Sequence, residues 1–433
     1  MDRLIKTADF ALGSLKNFGA DIAQCVVRET EKREFNVDGG EFSLFRTLFD
    51  RNVGLTAFKE NKKGSVAINR FDEESITSSA SDCILAAESS PADEAWEICS
   101  DGKTADFVHG APTPDTEKLF ERTKELLADI KERYPKILIE QMIVWHTSIK
   151  QVYANSFGNR YTEKSGYYIV SLMYSGHDGE KSSSFYGSDV TLDNLDTRFI
   201  DCARFASELA EVERQIDTTP VEGKFVGKVV IAPGCLAGDV FGGIVSCFAS
   251  DGVLIDGSSI WKDKLGQKVA DERITVSFRP YDDRIVCGQR YTGEGYIAED
   301  YDFIRDGVLN SFVIGKYAAN KTGNKAAPNT SFSMIVKPGE RSIDEIIADI
   351  DRGILVGRFS GGSPAPSGEF SGVAKNGFLI ENGKLKGAIS ETMISGNLAE
   401  MLNNLVEVSS DVLNDGGLVV PYMVFDGITV SGK

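Results

Sequence analysis

A chain of 433 residues with a formal charge of −18 is too long for one ordinary hydrophobic core, so about two or three domains are expected. Apolar residues make up 42% and charged residues 26%, the balance of a globular protein rather than a disordered or fibrous one. The acidic excess opposes a nucleic-acid partner, because affinity for a phosphate backbone comes largely from Lys and Arg displacing counterions. No segment approaches the ~18 consecutive apolar residues of a membrane span, which excludes the membrane. The opening "MDRLIKTADF" lacks a signal peptide's apolar core, and this places the chain in the cytoplasm. Seven scattered cysteines without a C-x-x-C pair fit reduced thiols there better than a disulfide framework.

From the start of the chain, apolar positions 4, 5, 8, 11, 12 and 15 follow the helical period, and Gly19 closes that helix as a C-terminal cap. "DIAQCVVRE", "REFNVDGGEFSLFRTLF" and "NVGLTAFKENKKGSVAIN" read as antiparallel strands turning at Asp38-Gly39 and at Asn61 to Gly64. A second helix spans about residues 73–88, and a Pro- and Gly-bearing stretch ends the lobe. The pattern then recurs. An amphipathic helix, "TEKLFERTKELLADIKERY", precedes strands at "KILIEQMIVWHTSI", "KQVYANSFG" and "GYYIVSLMYSG" and a helix around 195–214. The polar "DTTPVEG" at 217–223 is the linker candidate. Beyond it the chain is rich in strands and glycine, with a helix opening at 233 and another in "SIDEIIADIDRG", where Ser342 and Glu345 suit a capping box. The expected class is α+β: N-terminal α/β lobes at 1–110 and 111–216, with antiparallel sheets flanked by helices, then a β-rich C-terminal domain at 217–433.

Signals for chemistry are sparse. His109, His146 and His177 lie on different segments without metal-ligand neighbours, whereas zinc sites need three or four ligands brought together. "SSIWK" contains S-x-x-K at Ser259 and Lys262, with "YAN" at 153–155 and "KTG" at 321–323. Their order fails that of serine penicillin-recognising enzymes, in which the Tyr motif lies between the other two. "GEGYIA" at 293–298 lacks the strand and helix of a dinucleotide fingerprint. The glycine-rich loop "GRFSGGSPAPSGEFSG", Gly357 to Gly372, is the cleft candidate, since long unusual loops often bind. In "VVIAPGCLAGDVFGGIVSCFASDG", Gly234, Gly238, Gly242, Ser246 and Ser250 recur at every fourth position. A helix with several glycines needs tertiary packing. The expectation is that Gly234, Gly238 and Gly242 let another backbone approach closely, within the domain rather than across an interface.

"VVIAPGCLAG" (229–238), "DGSSIWKDKLGQKVAD" (256–271), "RDGVLNSFVIGKYAANKTGN" (305–324) and "GFLIENGKLKGAISETMISGNLAEML" (377–402), with "GADIAQCVVRETEKREFNVDGGE" near the start, resemble the TldD/PmbA family. Its members were once labelled modulators of DNA gyrase and are understood as a two-subunit metallopeptidase system. The resemblance implies proteolysis of peptides or unfolded proteins. In the TldD branch an H-E-x-x-x-H helix supplies two zinc-binding histidines and a glutamate base, and a cysteine near the C-terminus completes the ligands. The corresponding stretch here is "FGGIVS", which puts Phe241, Gly242 and Ser246 at those positions, and no cysteine follows Cys287. That matches the PmbA branch, also called TldE. It implies no catalytic, metal or cofactor residue in this chain and a zinc-bearing TldD-type partner in a heterodimer enclosing a peptide cleft. The branch's Asn-Pro-x-Thr-Gly-type loop is replaced by "GGSPAPSGEFSG", leaving Gly361, Gly362, Pro364, Ser367, Gly368 and Glu369 as cleft candidates. Two alternatives stand beside this reading. One is a zinc-free homodimeric peptide-binding protein. The other is a peptidase using unrecognised groups such as Asp239, Asp251 and Asp256 or the Ser259–Lys262 pair.

Overall fold

The computed structural model describes every residue except 391. Helix α1, Asp2–Asn17, buries Leu4, Ala8, Ala11 and Leu15, one stripe at the helical period. It ends where the Gly19 and Ala20 amides return to Lys16 and Leu15. Strands β1 (Ile22–Asp38), β2 (Glu41–Lys59) and β3 (Lys62–Ile68) form a meander. Its first turn is Gly39-Gly40, both at positive φ, the twist a two-residue hairpin requires. Helix α2, Glu73–Ser89, is capped by Asp72 and lies so close to β3 that a Cβ on Gly64 would sit 2.1 Å from the Cys83 carbonyl oxygen.

Strand β4 (Thr104–Gly110), helix α3 (Thr116–Arg133), strands β5 (Ile137–Asn155) and β6 (Arg160–Asp178) and helix α4 (Phe205–Glu213) follow. "KILIEQMIVWHTSI" and "KQVYANSFG" are therefore one strand rather than two, and the helix expected around 195–214 is shorter. β1 pairs with β5 over nearly its whole length, so the stretches read as two lobes share one sheet of order β3-β2-β1-β5-β6-β4. β4 joins it in parallel. One face carries two cores: α1 and α2 cover Cys25, Val27, Leu55 and Val152, and α3 and α4 cover Phe35, Val37, Met142 and Val170.

The opposite face meets the C-terminal half, where Tyr291 packs against Tyr153 and Tyr161 and "GEGYIA" forms a tight β turn through the Tyr291–Ile297 bridge. Trp96 stacks on Tyr317 at 3.9 Å, and Arg204 lies 5.0 Å over the Tyr422 ring. Beside Arg204, Glu208 is buried on α4 and accepts a hydrogen bond from Ser188 Oγ. Burial pushes its carboxyl up to about 7. The C-terminal half is one mixed sheet. Its strand Lys224–Ile231 runs antiparallel to Val419–Ser431 and parallel to Arg352–Val356. Thr218–Pro220, within the expected linker, is a strand of this sheet paired with Lys384–Ser390. The capping box at Ser342 and Glu345 is present.

Candidate functional site

Strand Lys224–Ile231 leads into the helix that carries the small-residue row. Pro233 occupies its first turn, where a missing N–H is harmless. Leu236, Val240, Phe241, Ile244 and Phe248 are all buried in the core beneath. At about 1.5–3 kcal/mol per buried side chain, these outweigh about 1 kcal/mol lost at each of Gly234, Gly238, Gly242 and Gly243. The segments Leu236–Phe241 and Val245–Ala249 adopt wide π turns, a form that occurs frequently at functional sites. Through Ile255 the helix is long and apolar enough to cross a membrane, which the residue-by-residue reading did not anticipate because glycines and serines interrupt the apolar run. Its large apolar side chains are nevertheless packed inside the domain.

The small residues do not receive a neighbouring backbone, contrary to expectation. A Cβ on Gly234 or Gly238 would meet nothing within 4 Å, and one on Gly242 would meet only the Ala237 carbonyl oxygen of the same helix at 3.5 Å. The middle of the row is the floor of a cleft of about 510 Å³. Gly238, Gly242 and Ser246 line one side and Phe359, Gly361 and Pro364 the other. Gly243, outside the row, is the tightly packed glycine: its Cβ would lie 3.0 Å from Leu398 Cδ1.

The glycine-rich stretch is a hairpin of strands Arg358–Gly361 and Glu369–Lys375, so the free loop is shorter than the sequence suggested. Gly361, Gly362 and Pro364 reach the cleft. Ser367, Gly368 and Glu369 form the hairpin's base, where Asn397 donates to the Ser367 carbonyl, the Leu398 amide donates to Gly368, and the Ser367 hydroxyl donates to the Glu369 carboxylate. Arg358–Gly361 pairs only with Glu369–Lys375 among the described strands; no described strand covers its other edge beside the cleft, where the Phe359 amide donates to Asp239.

Phe241 is fully buried and cannot present a group to this cleft. Gly242 and Ser246, the other two positions the resemblance singled out, line it. The polar groups there do not suit zinc. Desolvation raises the Asp239 carboxyl above its ordinary range, against hydrogen bonds from the Cys235 thiol and the Phe359 amide. Burial, with Asp239 alongside, pushes the Cys235 thiol well up, and burial also raises Cys247. Both thiols therefore stay protonated near neutral pH, and the thiolate is the metal ligand and nucleophile. Among the described residues, no three His, Cys, Asp or Glu side chains are grouped to hold a metal ion, and Asp239, Asp251 and Asp256 are no exception. Asp251 accepts from the Gly315 amide and Asp256 from Ser258. Ser259 is buried and donates to the Phe248 carbonyl, while Lys262 donates to Gly257, so that pair makes no nucleophile and base. The histidines have separate partners: Glu163 for His109, the Ala111 carbonyl for His146, and Ser175 for His177.

An α+β chain with such a cleft on its C-terminal sheet has a recognisable class. Residues 224–432 match the family model described as PmbA/TldA metallopeptidase C-terminal domain. The likeness extends over the rest of the chain: the metalloprotease PmbA homolog of Haemophilus influenzae is 23% identical, covering 94% of this chain and 89% of that one. Residues 224–432 are thus a C-terminal domain of the PmbA/TldD family. The fold of the chain is that of a protein from Bacteroides thetaiotaomicron described as a putative modulator of DNA gyrase (TM-score 0.87, 22% identity, full coverage of both chains). TldE from Thermococcus kodakarensis shares it too (TM-score 0.83, 20% identity, 98% and 100% covered).

Proposed function

We propose that this chain is a PmbA/TldE-type subunit that holds an extended peptide in the cleft and does not cut it, hydrolysis falling to a zinc-bearing TldD-type relative. The observation that carries this reading is a floor of small residues, Gly238, Gly242 and Ser246, beside an edge of Arg358–Gly361 that no described strand covers. An added strand binds through backbone hydrogen bonds and places alternate side chains into whatever space lies beneath. The glycine floor supplies that space, and Phe359 and Phe370 on the wall supply apolar contact. The cytoplasmic placement belongs to the same reading and is supported by seven free cysteines.

The test is fluorescence anisotropy of a labelled unstructured peptide with the purified chain, followed by chromatographic assay for cleavage. Saturable binding without cleavage, and cleavage once a TldD-type relative is added, are expected. Cleavage by the chain alone would overturn the reading, as would failure to bind.

A further inference from the structure

Among the described residues that line the cleft, Asp239 is the only Asp, Glu, Lys or Arg. The others are small, apolar or neutral, and the Cys235 and Cys247 thiols stay protonated. Asp239 is exposed on its helix, yet the protein around its carboxyl desolvates it enough to raise its pKa, against hydrogen bonds from Cys235 and the Phe359 amide and a pull from Arg358. It has no ion-pair partner among the described residues. Arg358 does not supply one, because its guanidinium donates to Ser184 Oγ at 3.3 Å and stacks 4.5 Å over the Phe185 ring. In an antiparallel pair only alternate residues turn their backbone groups toward a given neighbour. With the Phe359 amide on Asp239, Phe359 and Gly361 therefore face away from Glu369–Lys375. Asp239 marks one end of that uncovered edge, and beyond it the Phe359 carbonyl and the Gly361 amide and carbonyl are left for an added strand.

We propose that Asp239 is the specificity residue of the cleft and pairs with a cationic group, an ammonium or a guanidinium, carried by the bound peptide. The inference rests on the peptide reading above and names what that peptide must carry. A partly desolvated carboxylate without a cation beside it is disfavoured; an incoming cation stabilises the charged form, and an incoming anion adds repulsion. The apolar lining strengthens both effects relative to open water. Space for the cation is present, since a Cβ on Gly238 would meet nothing within 4 Å. A Lys or Arg side chain can lay its stem along this floor and keep its charged head at the carboxylate. The peptide's own N-terminus offers the same chemistry, and the experiment separates the two sources. The chain's formal charge of −18 also attracts cationic peptides at long range. Replacing one carboxylate among 65 acidic side chains leaves that field nearly unchanged, so the local pair can be isolated from it.

The experiment is fluorescence anisotropy with the full wild-type chain, Asp239→Asn and Asp239→Lys, at about 0.15 M salt to screen distant charges. The probes are an otherwise neutral unstructured peptide, acetylated at its N-terminus, with Lys, acetyl-lysine or Glu at its centre. A fourth probe combines acetyl-lysine with a free N-terminus. Asp239 is exposed, so circular dichroism should show both variants folded. The Lys peptide should bind the wild type roughly 10-fold more tightly than the acetyl-lysine peptide, and the Glu peptide most weakly. The same gain by the free-amine peptide instead would assign the cation to the N-terminus and support the pairing equally. Asp239→Asn should bring all the peptides to comparable affinity, and Asp239→Lys should put the Glu peptide first. Equal binding of every peptide by the wild type, or a preference for cations that persists in Asp239→Asn, would overturn the proposal and leave the cleft reading intact. Failure of every peptide to bind would overturn both.

Discussion

Two uncovered surfaces of the molecule are built in opposite ways. The helix at the cleft presents small residues along one row, Gly238, Gly242 and Ser246, and the result is a concavity with its backbone near the surface. Along β2, Leu44, Phe45, Leu48 and Phe49 instead stand out into solvent. A hollow lined by small residues accommodates a backbone and whatever side chains it carries, while a projecting apolar ridge gains free energy only when something buries it. The first surface therefore suits a varied, extended ligand, and the second does not.

The largest contrast comes from filling the hollow. Gly238→Trp puts an indole where a Cβ has nothing within 4 Å, so the fold should persist while peptide affinity falls roughly 100-fold, about 2.7 kcal/mol, in anisotropy titrations. An unaltered peptide affinity would remove the cleft from the account.

An effect of similar size is expected away from both surfaces, at Glu208. Its folded pKa of about 7 lies above that of an unfolded glutamate, so well below the ordinary carboxylate range both states hold the proton and the site has no pH-linked cost. As pH rises toward 7 the unfolded chain ionises first, and stability is lost. Glu208→Gln should therefore change little at pH 4 and gain about 2–3 kcal/mol at pH 8, read from urea unfolding at the two values. Equal shifts at both would show that Glu208 is not neutral in the fold.

The smallest prediction separates open from packed glycines on one helix. Gly238→Ala should stabilise the chain by about 0.5–1 kcal/mol, through higher helix propensity and a less flexible unfolded state. Gly243→Ala should gain less or lose, because its Cβ would press on Leu398 and Pro364. Equal urea midpoints for the two variants would contradict the placement of the row.

These regions also differ in how far the sequence disclosed them. The buried stripes of α1, α2 and α3 were legible because helical periodicity reports burial directly, and the Ser342 cap because its signature is local. The glycine row was visible, but small residues mark close packing and open clefts alike, and only the distances around each Cβ separate the two. Phe241 was placed at a ligand position by motif spacing, although an apolar residue among Leu236, Ile244 and Phe248 belongs to the buried stripe. "EFSLFRTLF" reads as a strand with apolar residues on both faces, which is also the pattern of a buried central strand. Its exposure follows from where β3 stops, a pairing property that alternation does not encode. The one-sheet arrangement of residues 1–178 likewise depends on β1 meeting β5, a long-range contact without a local signature.

Native mass spectrometry of the tagged chain, gently recovered from its own cells, reports subunit masses and bound zinc together. The predicted result is a complex of this chain with a TldD-type relative, containing zinc that disappears when the chain is isolated. Stoichiometric zinc retained by the isolated chain would contradict the account, since no group among Asp239, Cys235 and Cys247 is arranged to hold it.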